Sequence, residues 1–126
     1  MDKIVFDASA ILTLLKKEKG HEIVDKYLDN AVVSTVNFSE VVTVLNRSGV
    51  TQDIIQYLGE TFLHIEEFNI EQAIIAASID EITKKNGLSL GDRSCLALAK
   101  SMSLPVLTAD KIWKNVNLGI DIQLIR

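Results

Sequence analysis

The chain alternates short, wholly apolar runs with longer segments of helical period. Five runs stand out, at residues 4–6, 32–33, 63–65, 106–107 and 122–125. They are apolar throughout rather than alternating with polar residues, as expected of strands covered on both faces. The segments 10–17, 22–29, 40–47, 53–61, 71–85 and 92–102 place apolar residues three and four apart and read as helices. In the last of these, Cys95, Leu96, Ala99 and Met102 form one stripe suited to burial. Alternation of strand and helix implies right-handed crossovers and a parallel sheet with helices on both faces. The expected fold is α/β: a single three-layer domain, residues 1–126, with a central, mostly parallel sheet of about five strands flanked by helices. No linker or internal repeat interrupts it, and the one proline, Pro105, separates a helical segment from a strand.

Composition narrows the class. With 48 % hydrophobic and 24 % charged residues, the chain has ordinary globular usage. Its one cysteine, Cys95, excludes an intramolecular disulfide and fits a reducing compartment. The longest stretch free of Asp, Glu, Lys and Arg is 30–39, well short of the ~20 apolar residues a spanning helix needs. Met1-Asp2-Lys3 lacks a positive leader region and Asp7 interrupts the first apolar run. No signal peptide or membrane association is expected, and the expected location is cytoplasmic. Thirteen basic against seventeen acidic residues give a net charge of −4, without any basic run. Polyanion binders ordinarily carry a basic excess. A nucleic-acid function for this chain therefore needs a cation held by a few clustered acids.

Parallel sheets place their chemistry at the carboxyl ends of the strands, near the point where strand order reverses. Asp7 directly follows Ile4-Val5-Phe6, and Asp110 follows Val106-Leu107-Thr108-Ala109. Glu40, in Asn37-Phe38-Ser39-Glu40, is expected to open the helix after the second strand. Asp92, in Ser89-Leu90-Gly91-Asp92, is expected to open the helix before the fourth. Taken singly, each has a plain structural reading. Asp7 and Asp110 suit helix N-caps, while Asn37-x-x-Glu40 and Ser89-x-x-Asp92 resemble capping boxes. Taken together, four carboxylates would meet at one end of the sheet. Two like charges about 5 Å apart repel by roughly 3 kcal/mol at an effective dielectric of about 20, so a fold gathers them where a cation binds. Oxygen-only donors select Mg²⁺ or Mn²⁺. His21 and His64 lie in no metal spacing and Cys95 is alone, which argues against zinc. Without the four acids the chain carries equal numbers of acidic and basic residues.

These segments resemble PIN-domain ribonucleases of the VapC type, found as toxins in toxin–antitoxin pairs. The resemblance spans essentially the whole chain. It rests on Val5-Phe6-Asp7-Ala8-Ser9-Ala10, on Asn37-Phe38-Ser39-Glu40, on Leu88-Ser89-Leu90-Gly91-Asp92-Arg93 with Cys95-Leu96-Ala97-Leu98-Ala99, and on Leu107-Thr108-Ala109-Asp110 with Trp113 beyond. It implies that Asp7, Glu40, Asp92 and Asp110 are the catalytic and metal-binding acids, holding one or two Mg²⁺ or Mn²⁺ ions. Ser9 and Thr108 stand where hydroxyl residues support the first and last of them. The implied activity is metal-dependent endoribonucleolytic cleavage of RNA by activated water. The implied partners are a cognate antitoxin and a second copy of the chain, with apolar helix faces at 22–28 and 53–63 as candidate contacts. Some members carry a further acid after the last Asp. Here Asn115 and Asn117 occupy that stretch, and Asp121 beyond them is not expected to be a ligand. Arg93 is a candidate RNA contact, equally placed for a salt bridge at a helix start. Trp113 reads as a buried anchor, and Lys16, Lys17 and Lys19 read as a solvated face.

Other chemistry on similar sheets fits less well. A haloacid-dehalogenase-type phosphatase needs Asp-x-Asp where this chain has Asp7-Ala8-Ser9, and a receiver domain needs an acidic pair after its first strand. Two alternatives keep the same fold: a housekeeping RNA-processing nuclease, and a non-catalytic PIN-like binding module.

Overall fold

A computed structural model describes residues 2–126; Met1, where the expected domain starts, lies outside the described residues. Among them, five strands, β1 (Ile4–Phe6), β2 (Ala31–Ser34), β3 (Ile65–Glu66), β4 (Val106–Thr108) and β5 (Ile122–Leu124), form one sheet ordered β3-β2-β1-β4-β5. Every pairing in it is parallel. The helices are α1 (Ala8–Leu15), α2 (His21–Tyr27), α3 (Thr35–Arg47), α4 (Gln52–Tyr57), α5 (Ile70–Ser78), α6 (Asp80–Lys84) and α7 (Leu90–Met102). The chain runs outward from β1 to β2 and β3, then returns to β1's other side as β4. Strand order thus reverses between β1 and β4, and parallel sheets place their chemistry at the carboxyl ends of the strands beside such a reversal.

Both faces of the sheet are apolar, but each strand divides its residues between them, as a pleat requires. Ile4 and Phe6 of β1 and Val33 of β2 join Ala10, Ile11, Val24, Val41 and Leu45 in one core. Val5, Val32 and Val106 join Cys95, Leu96, Leu98 and Trp113 in the other. Fully burying such a side chain stabilises by roughly 1.5–3 kcal/mol. A one-residue slip of β1 would exchange its faces, so the two cores fix its register. The expected α/β fold with a parallel, five-stranded sheet is the one observed.

Several helix boundaries differ from expectation. Helix α3 begins at Thr35, not at Glu40, because Ser34 both ends β2 and caps α3, its Oγ accepting from the Val36 N–H at 3.2 Å. Asn37 and Glu40 therefore lie inside a helix and form no capping box. The segment 71–85 is two helices. At Ile79 the backbone leaves helical geometry (φ −96°, ψ 4°), and Thr83 Oγ1 donates to the Ile79 carbonyl at 2.8 Å. Ile79 itself is buried in the second core. Helix α4 ends at Tyr57 and passes into a π turn, Leu58–Phe62, which shifts the third strand to Ile65–Glu66. No helix of the described residues is long and apolar enough to cross a membrane.

Candidate active site

Asp7 is the N-cap of α1 and stands at the carboxyl end of β1, where it is only 6 % exposed. Its Oδ1 accepts from the Ala10 N–H at 2.9 Å and from Ser9 Oγ at 2.6 Å. Its Oδ2 accepts from Thr108 Oγ1 at 2.6 Å. The two hydroxyls are held in turn from the β4 side. The Ala109 N–H donates to Ser9 Oγ at 2.9 Å and the Asp110 N–H donates to Thr108 Oγ1 at 3.1 Å. Hydrogen bonds thus run from Asp7 at the end of β1 to the backbone of Asp110 beyond β4. Burial pushes the Asp7 carboxyl up to about 6, against the three hydrogen bonds that lower it, and the charge of Asp92 adds to the rise.

Asp110 caps the 3₁₀ turn Lys111–Asn115, accepting from the Ile112 N–H at 3.0 Å. Asp92 lies in the first turn of α7 in a full capping box with Ser89: it accepts from the Ser89 N–H at 2.9 Å, and Ser89 Oγ accepts from the Asp92 N–H at 3.2 Å. Helix α7 precedes a parallel strand, so its N-terminus lies at the same sheet end as Asp7. The N-terminal half of α3, which follows β2, lies there for the complementary reason. Glu40 projects from α3 onto α7, its Oε1 held by Asn37 Nδ2 at 2.8 Å and its carboxylate lying against Gly91.

Cys95 is buried within α7. Burial pushes its thiol well above the usual range, and Asp7, Asp92 and Glu40 all add to the rise. Asp7, Asp92 and Glu40 belong to three separate elements, the N-cap of α1, the first turn of α7 and the body of α3. A thiol so raised stays protonated and makes a poor metal ligand. The remaining donors are carboxylate and hydroxyl oxygens, the set that suits a hard divalent cation. Among the described residues, no three His, Cys, Asp or Glu side chains stand close enough to hold an ion as they are. Asp7, Asp92 and Asp110 accept from backbone N–H groups, and Glu40 accepts from Asn37 through one of its two oxygens.

The other candidates fall in different places. Arg93 is turned away from the acids: its side chain is 18 % exposed, Nη1 donates to the Ala76 carbonyl at 3.1 Å, and Nε lies 3.7 Å from Asp80 Oδ1. It ties α7 to α5 and α6 rather than standing open to a phosphate. Trp113 is 1 % exposed within the second core. Lys16, Lys17 and Lys19 are exposed just beyond the C-terminus of α1, at the far end of that helix from Asp7. Asp121 immediately precedes β5, and its carbonyl accepts from the Val106 N–H at 2.9 Å, which places it at the opposite end of the sheet. Asn37 and Gly91 gained no role from sequence beyond their place in motifs. Their partnership joins positions 54 apart in the chain, and nothing local signals it.

The PIN domain family model matches residues 4–118. No curated protein matches the sequence. A chain of a DNA-bound VapBC complex from Salmonella typhimurium is 18 % identical, with 100 % of both chains covered and a TM-score of 0.76. FitAcB from Neisseria gonorrhoeae is 22 % identical over 94 % of this chain and 95 % of that one, with a TM-score of 0.70. A sarcin–ricin-loop-cleaving VapC toxin of Mycobacterium tuberculosis is 14 % identical over 91 % and 95 %, with a TM-score of 0.74. At such identities the structural likeness speaks to the fold. With the family model matching nearly the full length, and with the β3-β2-β1-β4-β5 sheet beneath the site, the chain belongs to the PIN domain family.

Proposed function

We propose that this chain is a metal-dependent endoribonuclease and the toxin of a toxin–antitoxin pair. The observation that carries the reading is the carboxyl end of the sheet, where Asp7 is buried and the Glu40 carboxylate lies against Gly91, the neighbour of Asp92. Asp110 is joined to Asp7 there through Thr108. Membership of the PIN family and the likeness to VapBC complexes and to an RNA-cleaving VapC toxin support it.

In this reading Asp7, Glu40, Asp92 and Asp110 hold Mg²⁺ or Mn²⁺, as one ion or two. When bound, such an ion lowers the pKa of a water and neutralises charge on the scissile phosphate. Ser9 and Thr108 orient Asp7 by donating to its two oxygens, which fixes where its remaining lone pairs point. The N-termini of α1 and α7 direct their positive dipole ends at Asp7 and Asp92, which suits a cluster of negative charge. In the reaction the water oxygen bonds to phosphorus, the P–O3′ bond breaks, and the 3′ oxygen takes up a proton. The products carry a 5′ phosphate and a 3′ hydroxyl. Single-stranded RNA or an RNA loop is the substrate, since its backbone can reach a recessed site.

Ile23, Ile54, Tyr57 and Phe62 are exposed on α2, α4 and the π turn, and they suit contact with an antitoxin or with the second subunit of a homodimer. A cytoplasmic location follows from such a substrate and partner. The test is cleavage of end-labelled single-stranded RNA by the purified protein. Cleavage abolished by EDTA and restored by Mg²⁺ or Mn²⁺, with 5′-phosphate ends, is expected. Undiminished cleavage in excess chelator, matched by an Asp7→Asn preparation, would overturn the assignment.

A further inference from the structure

We propose that Asn37 and Gly91 are positioning residues that together seat the Glu40 carboxylate; the inference rests on the metal-centre reading above. Asn37 is 1 % exposed, and its Nδ2 donates to Glu40 Oε1 at 2.8 Å and to the Gly91 carbonyl at 3.0 Å. Both partners are acceptors, so one orientation of the amide serves them. In that orientation Oδ1 is buried and has no hydrogen-bond partner among the described residues. Unpaired buried acceptors are rare in native proteins and costly. A residue selected for packing alone would be apolar here, so the amide is retained for its donor end.

Gly91 supplies the space. A Cβ at this position would collide with Glu40 Oε2 and would stand 2.7 Å from Cδ and 2.8 Å from Oε1. Gly91 lies in the first turn of α7 without a positive φ, so its backbone makes no demand for glycine. Glycine is a poor helix former, and α7 carries one where the carboxylate of another helix lies. The need for a seat follows from the length of the side chain. Asp7, Asp92 and Asp110 are short and each is tied to a local cap. Glu40 is on an exposed stretch of α3 and has one more rotatable bond than an aspartate. Ordering it in advance removes entropy that ion binding would otherwise lose. Because Asp92 follows Gly91 directly, the seat also sets the spacing between two candidate ligands from different helices.

The test is a Mn²⁺ titration followed by electron paramagnetic resonance, with melting curves in EDTA on the same samples. The proteins are wild type, Gly91→Ala, Asn37→Leu, Glu40→Gln and the double variant Gly91→Ala/Glu40→Gln. Gly91→Ala is expected to melt no lower than wild type without ion yet bind Mn²⁺ about 10-fold more weakly, the scale of losses when a ligand's supporting contacts are removed. Asn37→Leu is expected to weaken binding similarly. The double variant is expected to bind no more weakly than Glu40→Gln alone, because Gly91 acts through Glu40. Wild-type affinity in Gly91→Ala, or additive losses in the double variant, would overturn the seat while a weakened Glu40→Gln left the metal centre standing. No effect of Glu40→Gln, or no Mn²⁺ binding by wild type, would overturn both.

Discussion

Replacing Asp7 by Asn is expected to stabilise the ion-free protein at neutral pH while removing its activity. The buried carboxyl titrates at about 6 in the folded state against an ordinary 3.8. Because the folded pKa is the higher, the folded state binds the proton more tightly than the unfolded chain. The contribution of Asp7 to stability is therefore greatest below about pH 3.8 and is lost as pH rises through about 6. A shift of this size costs the ionised form on the order of 3 kcal/mol. The amide carries no such cost and can satisfy the same network. Its oxygen accepts from Ser9 and Ala10, and its NH₂ donates to Thr108 Oγ1, which retains capacity to accept from the Asp110 N–H. At roughly 3–5 °C per kcal/mol for a domain of this size, Asp7→Asn should melt on the order of 10 °C above wild type at pH 7.5 in EDTA. Near pH 4 the two should nearly coincide. Melting curves of both proteins from pH 4 to 8 provide the assay. An equal difference at both ends of the range, or a variant less stable than wild type at pH 7.5, would refute the reasoning.

Asp92→Asn should keep the Ser89 capping interaction, since Asn caps about as well as Asp, and melt within a few degrees of wild type in EDTA; RNA cleavage should fall by ~10²-fold or more. Near-wild-type cleavage with a lower melting point would mark Asp92 as a cap alone. Cys95, buried and raised well above the usual thiol range, should resist iodoacetamide at pH 8 in the native protein and react fully after unfolding; rapid native labelling would contradict its placement. Expression of the chain alone should arrest growth, and co-expression of a small protein encoded beside it should relieve the arrest. Unchanged growth and RNA profiles at high expression would remove the toxin reading and leave the nuclease reading to stand on cleavage assays.

The parts legible in the sequence were those with a local cause. Ile4-Val5-Phe6 and Val106-Leu107 are short apolar runs ended by polar residues, so β1, β4 and the acids after them could be located from the sequence pattern alone. The α7 capping box was equally plain, because Ser89 and Asp92 satisfy each other within one turn. The start of α3 was not, since Ser34 directly follows the apolar pair Val32-Val33 and serves as strand end and helix cap at once. Nor was the break at Ile79, where no Gly or Pro interrupts the helical period and packing of Ile79 into the second core ends α5. Arg93 adjoins Asp92 in sequence, yet one step along a helix turns it by about 100°, toward Ala76 and Asp80. The hydrogen bonds linking Asp7 to Thr108 and Asn37 to Gly91 join residues 101 and 54 positions apart. Only the folded arrangement of sheet and helices brings them within reach.

The most direct test of the account is to measure Mn²⁺ affinity and RNA cleavage on the same preparations of wild type, Asp7→Asn, Glu40→Gln, Asp92→Asn and Asp110→Asn. Each variant is expected to fold with an unchanged circular dichroism spectrum, bind the ion about 10-fold or more weakly, and cleave RNA at least ~10²-fold more slowly. Two or more variants that bind Mn²⁺ and cleave RNA as wild type does would contradict the claim that these four carboxylates form one catalytic metal centre.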